Sequence, residues 1–340
     1  MPDSPAALGE IWEMFDHIDF GSNVSQVSAT ESCRVLRLSA PTGDGFMTLY
    51  RVFAGVYLMY NDFHLRECPS QMEGAQNVFC IDHCREGRME QRLNDRQTYF
   101  MEPGTLRIDR RVHHSGQVIL PTCHYHGITI GFDVPVAQGA LQKACPGVNI
   151  DLNALVRQFC AGDRPTVLRG SPGTEALFYP LYHLPGQVAM DYLRVKVLEI
   201  LVYLKTQPIR EADRETAYFY ADQVEKIRAV HDYLLEDLST TRPLPELAAQ
   251  FSLTETALKR CFKQMYGTSV YAYLKGYRLQ QAALWLRAEP GTAVAEIAQR
   301  VGYGSHSKFS AAFRAQFGVT PQEYRERNVS VSQPKEEEYE

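Results

Sequence analysis

The hydrophobic pattern is most regular between residues 243 and 327, where one spacing of apolar positions occurs twice. The first part of the repeat has an offset of 50 residues and pairs Leu247, Ala248 and Phe251 with Ile297, Ala298 and Val301. Beyond the first turn the offset is 51 and holds for Thr254/Ser305, Leu258/Phe309, Phe262/Phe313, Gly267/Gly318, Ser269/Thr320 and Tyr273/Tyr324. This repeat predicts one structural unit used twice, with a single residue inserted in the second turn.

Each unit is predicted to contain two short helices joined by a tight turn. The first helix of the first unit has one apolar face at helical spacing, formed by Leu244, Leu247, Ala248 and Phe251. Thr254 is a suitable N-cap for the second helix, which Gly267 ends, and Ser305 and Gly318 take the same positions in the second unit. Two helices around a turn of three or four residues predict a helix-turn-helix, whose second helix can enter the DNA major groove.

The segment that joins the two units is predicted to be one continuous helix. From Ser269 to about Ala288 there is no proline, and Gly276 is the single glycine. Roughly 20 residues of helix extend about 30 Å, which is close to the roughly 34 Å turn of B-DNA. A rigid helix of that length would hold two recognition helices in successive major grooves on one face of the DNA.

The residues of this repeat resemble the AraC/XylS family of bacterial transcription regulators. The resemblance covers about 105 of the 340 residues and is densest at Ile297-Ala298, Val301-Gly302-Tyr303, Ser305, Ser307, Phe309-Ser310, Phe313-Arg314, Phe317-Gly318, Thr320-Pro321 and Tyr324-Arg325. It implies a regulator, more specifically an activator, that acts with RNA polymerase, responds to a small-molecule effector and forms a homodimer. It implies no enzymatic activity, cofactor or metal. The alternative is a helical bundle with no role on DNA.

The predicted DNA contacts are the outward-facing positions near the start of each recognition helix. In the first unit these are Glu255, Thr256, Lys259 and Arg260, and in the second they are His306, Ser307, Lys308 and Ala311. Arg260 can donate two hydrogen bonds to a guanine edge, whereas Ala311 offers apolar contact to a thymine methyl. The alternative for each of them is a solvated surface residue.

Four further positions are predicted to contact phosphates rather than bases. Lys263 and Arg314 lie farther along the recognition helices, where a cation sets position without reading sequence. Ser269 and Thr320 are at predicted helix starts, where free backbone N–H groups suit an anion.

The first 135 residues have the pattern of a β-rich domain. Apolar runs or alternations predict strands at Cys33–Leu38, Val52–Tyr60, Gln76–Cys84, Arg88–Leu93, Gln97–Met101, Thr105–Asp109 and His126–Phe132. Short strands at regular spacing favour a sandwich or small barrel. The Pro103-Gly104 turn, with His113-His114 shortly after it, resembles the cupin-like β-barrel sensor half common in the same family. Leu8, Ile11, Trp12 and Phe15 predict a short helix before the strands.

Residues 136–205 are predicted to be a helical extension of the sensor. Its last helix has an apolar stripe formed by Leu193, Val197, Ile200, Leu201 and Leu204. The family resemblance implies that this helix packs against its copy in a dimer, and the alternative is a core helix of the sensor itself. The predicted fold is therefore α+β, with the sensor at 1–135, the extension at 136–205, a linker at 206–220, an all-α double helix-turn-helix domain at 221–328 and an acidic tail at 329–340.

Charge and cysteine content support this division without establishing it. The chain carries a formal net charge of −5, and residues 221–328 hold 14 Lys and Arg against 11 Asp and Glu. The N-terminus lacks the features of a signal peptide and no run approaches a membrane span. The eight cysteines show no CxxC spacing, which is typical of reduced thiols in a cytoplasmic protein.

Two sets of sensor residues are candidates for ligand binding. Arg85, Arg88, Arg107 and Tyr125 are suited to an anionic or aromatic effector, and His124 and His126 can line the same pocket. The two histidines would also share one side of a strand, a spacing that can bind a metal, with further ligands available from His83, Cys84, His113 and His114. No acidic residue follows before Asp133, so we expect no metal site.

A metal-dependent cupin-type enzyme fused to a DNA-binding module is the alternative function. A DNA-repair methyl acceptor would need a four-cysteine zinc site near the N-terminus, and that pattern is absent.

Overall fold

A computed structural model describes residues 22–69, 77–94, 96–111, 117–161, 165–184, 189–209 and 219–329. The chain divides into two compact units, residues 1–221 and 222–340. The predicted N-terminal helix, His113 and His114, most of the linker and nearly all of the acidic tail lie outside the described residues.

The first unit contains a large antiparallel sheet in the strand order β1-β2-β3-β4-β11-β6-β9-β12. Its strands are β1 Val24–Ala29, β2 Cys33–Ala40, β3 Gly43–Phe53, β4 Val56–His64, β6 Val78–Gly87, β9 Leu106–Asp109, β11 Tyr125–Asp133 and β12 Thr166–Leu168. One predicted strand is wrong: Val52–Tyr60 spans a turn at Ala54-Gly55, where the chain reverses from β3 into β4. The apolar run continues through that turn, so hydrophobicity alone does not reveal it.

A smaller antiparallel sheet has the order β13-β8-β7-β10-β5. Its strands are β5 Glu67–Pro69, β7 Met89–Asn94, β8 Gln97–Met101, β10 Gln117–Ile119 and β13 Phe219–Tyr220. The predicted Glu102-Pro-Gly-Thr turn connects β8 with β9, as expected.

Four helices cover one face of the large sheet. They are α1 Val134–Ala144, α2 Leu152–Phe159, α3 Pro172–Tyr182 and α4 Met190–Thr206. Because side chains alternate along a strand, Phe79 and Ile81 of β6, and Ile128 and Ile130 of β11, all point into the core beneath these helices. Their neighbours in sequence therefore point to the opposite face.

That opposite face packs against the smaller sheet. A second apolar cluster joins residues of both sheets, among them Leu49, Phe63, Cys84, Tyr99 and Met101. The antiparallel, β-rich domain is confirmed. Within the described residues the large sheet ends at β1 and β12, so its strand order does not close into a barrel.

Helix α4 buries the apolar stripe that the sequence identifies. Leu193, Val197, Ile200, Leu201 and Leu204 are at most 1% exposed and belong to the core beneath the large sheet. The core alternative is therefore correct for these positions. The opposite side of α4 leaves Tyr192, Val195 and Val202 exposed.

The second unit is all helical. It contains α5 Ala221–Glu236, α6 Leu244–Gln250, α7 Glu255–Tyr266, α8 Val270–Ala288, α9 Val294–Arg300, α10 His306–Phe317 and α11 Pro321–Val329. Helices α6 and α7 form the first helix-turn-helix and α9 and α10 the second. In neither unit does any described helix combine the length and the apolar character that crossing a bilayer requires.

The predicted caps of the two recognition helices are confirmed. The hydroxyl of Thr254 accepts from the backbone N–H of Ala257, and Ser305 accepts in the same way from Lys308. Gly267 and Gly318 end the helices in the left-handed conformation. Gly304 is the residue inserted in the second helix-turn-helix. It lies between Tyr303, the counterpart of Leu253, and the Ser305 cap.

Helix α8 is continuous, as predicted, and runs through both units of the repeat. Its 19 residues extend about 28 Å at about 1.5 Å each. Val270 and Leu274 are buried in its first half. In its second half Leu279, Ala282, Ala283 and Leu286 join the core of the second helix-turn-helix, which also contains Phe309 and Phe313.

Candidate nucleic-acid interface and ligand cavity

The first recognition helix, α7, separates buried and exposed positions as the sequence predicts. Leu258 and Phe262 are fully buried, because they fall on the face that packs against the rest of the unit. The opposite face carries Thr256, Lys259, Arg260 and Lys263, all exposed, while Glu255 is half-buried. This side of α7 can therefore approach DNA without disturbing the core.

The second recognition helix, α10, has the same arrangement. Phe309 and Phe313 are fully buried. The predicted contact residues of this helix are all exposed: His306, Ser307, Lys308, Ala311 and Arg314. Their exposure shows that they are accessible, and their contacts with DNA remain a prediction.

Local ion pairs already engage part of the first recognition face. Lys259 forms an ion pair with Glu255, one helical turn earlier. An exposed pair of this kind contributes little to stability, so the lysine can exchange the carboxylate for a phosphate at small cost.

The two predicted phosphate sites at helix starts differ in their electrostatics. Ser269 caps α8 by accepting from Ala272 N–H, and the first turn of α8 contains no acidic residue. At the start of α11, Glu323 accepts a hydrogen bond from Thr320 N–H at 2.8 Å. This hydrogen bond lowers the pKa of Glu323 and leaves a carboxylate where a phosphate would bind. Ser269 is therefore the better placed of the two.

A buried arginine that no sequence pattern indicated connects the two helix-turn-helix units. Arg278 of α8 donates from Nη1 to the Thr241 hydroxyl at 3.0 Å and from Nη2 to the Thr240 carbonyl at 2.9 Å. Both acceptors lie just before α6, the first helix of the first helix-turn-helix. The same guanidinium lies against Gly302, in the turn of the second helix-turn-helix. Arg278 therefore fixes the loop before one unit relative to the turn of the other.

Helix α5 is attached to the first helix-turn-helix by an aromatic cluster. The His231 ring stacks on Tyr266 with centroids 4.6 Å apart, and its Nε2 lies 2.9 Å from the Tyr273 hydroxyl. Tyr273 in turn packs edge-on against Phe262 of the recognition helix. The orientation of α7 thus depends on α5 as well as on α8.

The N-terminal unit, residues 1–221, contains a cavity of about 120 Å³. It lies on the face of the large sheet that meets the small sheet. Much of its wall is apolar and includes Leu38, Met47, Met59, Phe63, Met89, Met101 and Tyr125. The remainder is polar and includes Asn61, Asp82, Gln91, Arg107, Arg111 and Thr129. Two of the predicted effector residues, Arg107 and Tyr125, therefore line one cavity.

The polar part of the wall is a row across adjacent strands of the large sheet. Thr129 of β11 lies opposite Asp82 of β6, which lies opposite Arg107 of β9. Thr129 donates a hydrogen bond to Asp82 Oδ1 at 2.7 Å, and Asn61 donates to Thr129 at 3.1 Å. Because all four positions share one face of the sheet, the strand register places them together.

Two members of this row, Arg107 and Asp82, also form buried ion pairs. Arg107 pairs with Asp109, and Arg111 Nη2 lies 2.5 Å from Asp82 Oδ1. Burial alone would lower the pKa of both arginines, but the neighbouring aspartates raise it above the ordinary value. Burial alone would likewise raise the pKa of Asp109, yet Arg107 and Arg111 lower it. Two arginines facing two aspartates leave this wall with no net formal charge.

The other predicted effector residues lie elsewhere in the unit. Arg88 forms an ion pair with Glu102 at 3.2 Å. Arg85 lies over the ring of Tyr182, 4.9 Å from its centroid, and His126 contacts the same ring. The His124 ring is 6.5 Å from that of His64. None of these four lines the cavity described above.

The possible metal ligands are also separated. His83 stacks on Phe178 of α3 beneath the helices, whereas the next residue, Cys84, points into the cluster between the sheets. Among the described residues no group of three or more His, Cys, Asp or Glu side chains could hold a metal ion.

Comparison with known proteins gives matches to a family model and to parts of transcription regulators. Residues 247–327 match the family model of a helix-turn-helix domain. The HTH-type transcriptional activator RhaR of Mannheimia succiniciproducens is 34% identical over 110 residues, which are 32% of this chain and 39% of that protein. RhaR of Yersinia pestis is 30% identical over 141 residues, which are 42% of this chain and 47% of that protein. The match thus spans less than half the length of either relative.

Comparison with solved structures also gives matches. The C-terminal domain of AraT, a response regulator from Geobacillus stearothermophilus, shares 29% sequence identity at a TM-score of 0.29. That match covers 34% of this chain and 91% of the AraT domain.

Proposed function

Because the C-terminal domain of this chain belongs to the AraC/XylS family of helix-turn-helix domains, we propose that the protein is a sequence-specific transcription regulator. Its two relatives are named as transcriptional activators, which supports activation rather than repression. The proposed partners are double-stranded DNA and RNA polymerase.

One observation carries this proposal. Two capped helices, α7 and α10, each bury one apolar face and present an exposed polar face containing lysine or arginine. Helix α8 and the Arg278 contacts connect them within one unit. Such a pair of recognition helices can occupy successive major grooves, where base edges specify the sequence.

The first unit is proposed to be a cupin-like sensor that binds a small-molecule effector. The cavity supports this, since ligand sites are typically concave, largely apolar and lined by a few convergent polar groups. An effector that binds one state of the sensor more tightly would shift the population towards that state. The exposed side of α4, with Tyr192, Val195 and Val202, is the proposed homodimer contact.

The experiment uses residues 222–329, the described part of the second unit. The fragment is purified, its helical content is measured by circular dichroism, and binding sites are selected from a library of randomised duplexes. We expect a defined preferred sequence with two half-sites about one helical turn apart. A folded fragment that selects no sequence would contradict the proposal.

Two charge reversals make the experiment specific to the recognition face. Lys308→Glu places a negative charge on α10 and should weaken binding to the selected site by about tenfold or more. Lys226→Glu makes the same change on α5, outside both recognition helices, and should have a much smaller effect. Equal losses for the two variants would indicate non-specific attraction to the fragment as a whole.

A further inference from the structure

The polar wall of the sensor cavity is electrically balanced. Arg107 and Arg111 line the cavity, and each forms an ion pair with a buried aspartate, Asp109 or Asp82. A ligand carboxylate would have to compete with these aspartates for the arginines. Releasing a buried carboxylate from its partner leaves an uncompensated charge, which is strongly unfavourable.

Two buried polar atoms of residues that line the cavity make no hydrogen bond within the described residues. They are Oδ2 of Asp82, an acceptor, and Nε of Arg107, a donor. Asp82 is 3% exposed and Arg107 is 5% exposed, and the two residues lie opposite each other on β6 and β9. A buried polar atom without a partner is costly, so a ligand that supplies the missing hydrogen bonds gains affinity.

The apolar part of the cavity lining suits a group of variable shape. Met47, Met59, Met89 and Met101 line the cavity. Methionine side chains are unbranched and polarizable, so they adapt to rings and chains alike. At about 30 Å³ of liquid volume per water, 120 Å³ corresponds to roughly four waters, which limits the ligand to a small organic molecule.

We propose that the cavity binds a small, uncharged amphipathic molecule whose hydroxyl group donates to Asp82 and accepts from Arg107. An aromatic or aliphatic body packs against the methionines. The sequence alone is compatible with an anionic ligand, and the pairing of both arginines with aspartates argues against that class. This inference rests on the proposed function, because it assumes that the cavity is the effector site.

Three probes with the same phenyl ring and chain length test the proposal. Binding of 2-phenylethanol, phenylacetate and 2-phenylethylammonium to the full chain is measured by calorimetric titration. We expect the alcohol to bind at least about tenfold more tightly than either ion, because a charge buried without a counterion is disfavoured. Tighter binding of phenylacetate, or no binding of any probe to the folded protein, would overturn the proposal.

A variant in the wall locates the binding. Asp82→Asn gives the wall a net positive charge, so we expect phenylacetate to gain at least about tenfold relative to the alcohol. Asp44→Asn is the matched control, since Asp44 pairs with Arg37 at 2.7 Å on the exposed surface. If Asp82→Asn does not fold, Asn61→Asp adds a negative charge to the same wall and should favour the ammonium probe. Unchanged selectivity in every folded wall variant would place the probe outside this cavity and reject the assignment.

The outcome is separable from that of the proposed function. Sequence selection by residues 222–329 reports on DNA recognition, and calorimetry of the full chain reports on the cavity. If the fragment selects a sequence while the alcohol fails to bind, the ligand class is wrong and the regulator proposal stands. If the alcohol binds and the fragment selects nothing, the regulator proposal fails alone.

Discussion

The guanidinium of Arg278 lies against the α-carbon of Gly302, so that a β-carbon at Gly302 would stand 2.8 Å from Nη2 and 2.9 Å from Cζ. It would also stand 2.6 Å from the Leu238 carbonyl oxygen. Gly302 has a φ of 79°, a conformation that residues with a β-carbon adopt with strain. Its counterpart in the first helix-turn-helix, Ser252, has a φ of 53°. Both turns therefore use this conformation, and of the two only the second has a glycine at this position.

Three glycine substitutions separate backbone strain from crowding. Gly302→Ala should lower the unfolding free energy of the second unit by about 2–4 kcal/mol, because strain and steric overlap add. Gly318→Ala has the strain alone and should cost about 1–2 kcal/mol, since its φ is 77° and no atom lies within 4 Å of an added β-carbon. Gly304→Ala has neither and should change stability by less than about 0.5 kcal/mol. Urea unfolding measures all three, and equal costs at Gly302 and Gly318 would show that Arg278 and the Leu238 carbonyl both move aside freely.

Phe313 is the centre of the second helix-turn-helix core. Its ring is fully buried between Phe317, with centroids 4.5 Å apart, and Tyr324, at 5.4 Å. Phe313→Ala should lower the unfolding free energy by about 3–5 kcal/mol and reduce DNA affinity through unfolding. Phe317→Ala, at a half-buried position, is the control and should cost less. A melting temperature that Phe313→Ala leaves unchanged would contradict the helix phase of α10.

The repeat could be predicted because its signals are local. Thr254 and Ser305 each accept a hydrogen bond from the backbone N–H three residues later, and the glycines at 267 and 318 end the same helices, so short-range spacing contains the information. The cavity wall could not be predicted in this way. Asp82 and Arg107 lie on strands that pair only once the register of β6 and β9 is set. Sequence spacing leaves that register open.

Arg278 illustrates the same limit in the helical unit. A charged residue in the middle of a helix is usually solvated, and its acceptors, Thr240 and Thr241, lie 38 and 37 residues earlier in the chain. The stripe on α4 shows the reverse case. Its apolar spacing identifies a buried face, but the same spacing serves a dimer interface and a domain core, and the packing of the sheet beneath decides between them.

We expect His83 to make the N-terminal unit, residues 1–221, sensitive to acid. Burial, and secondarily the charge of Arg85, lowers the pKa of His83 from 6.5 to about 4, and the ring lies between Phe178 and the Tyr182 hydroxyl. Below about pH 6.5 the unfolded chain binds a proton that the folded chain excludes until about pH 4. Stability present above pH 6.5 is therefore lost as the pH falls through this window, by an amount on the order of 2–3 kcal/mol.

The measurement is urea unfolding of the full chain at about pH 7 and about pH 4.5, with circular dichroism as the signal that monitors unfolding. His83→Gln should flatten the pH dependence of the first unit while lowering its stability at neutral pH. His64→Gln, which removes an exposed imidazole from the same sheet, is the matched control. An unchanged pH dependence in His83→Gln would show that other groups cause the acid sensitivity.

We predict that the contacts of the first recognition helix divide into base readers and phosphate contacts, and two exposed cations of α7 test that division. Arg260 lies one helical turn beyond Thr256 on the exposed face, which places it to read a base, most simply a guanine through two hydrogen bonds. Arg260→Ala should cost about 1–3 kcal/mol on the selected site and relax the preference at one or two base pairs. Lys263, farther along the helix, should instead contact a phosphate.

Lys263→Ala is expected to weaken binding to all sequences about equally and to reduce the salt dependence by roughly one unit of slope. Both variants are compared on a randomised-site library at several salt concentrations, with residues 222–329 as the common background. A loss of sequence preference in Arg260→Ala alone would assign that arginine to the bases, because only contacts to base edges distinguish sequences. If Arg260→Ala keeps the preferred sequence and changes only the salt slope, α7 is rotated relative to our proposal and Arg260 contacts a phosphate.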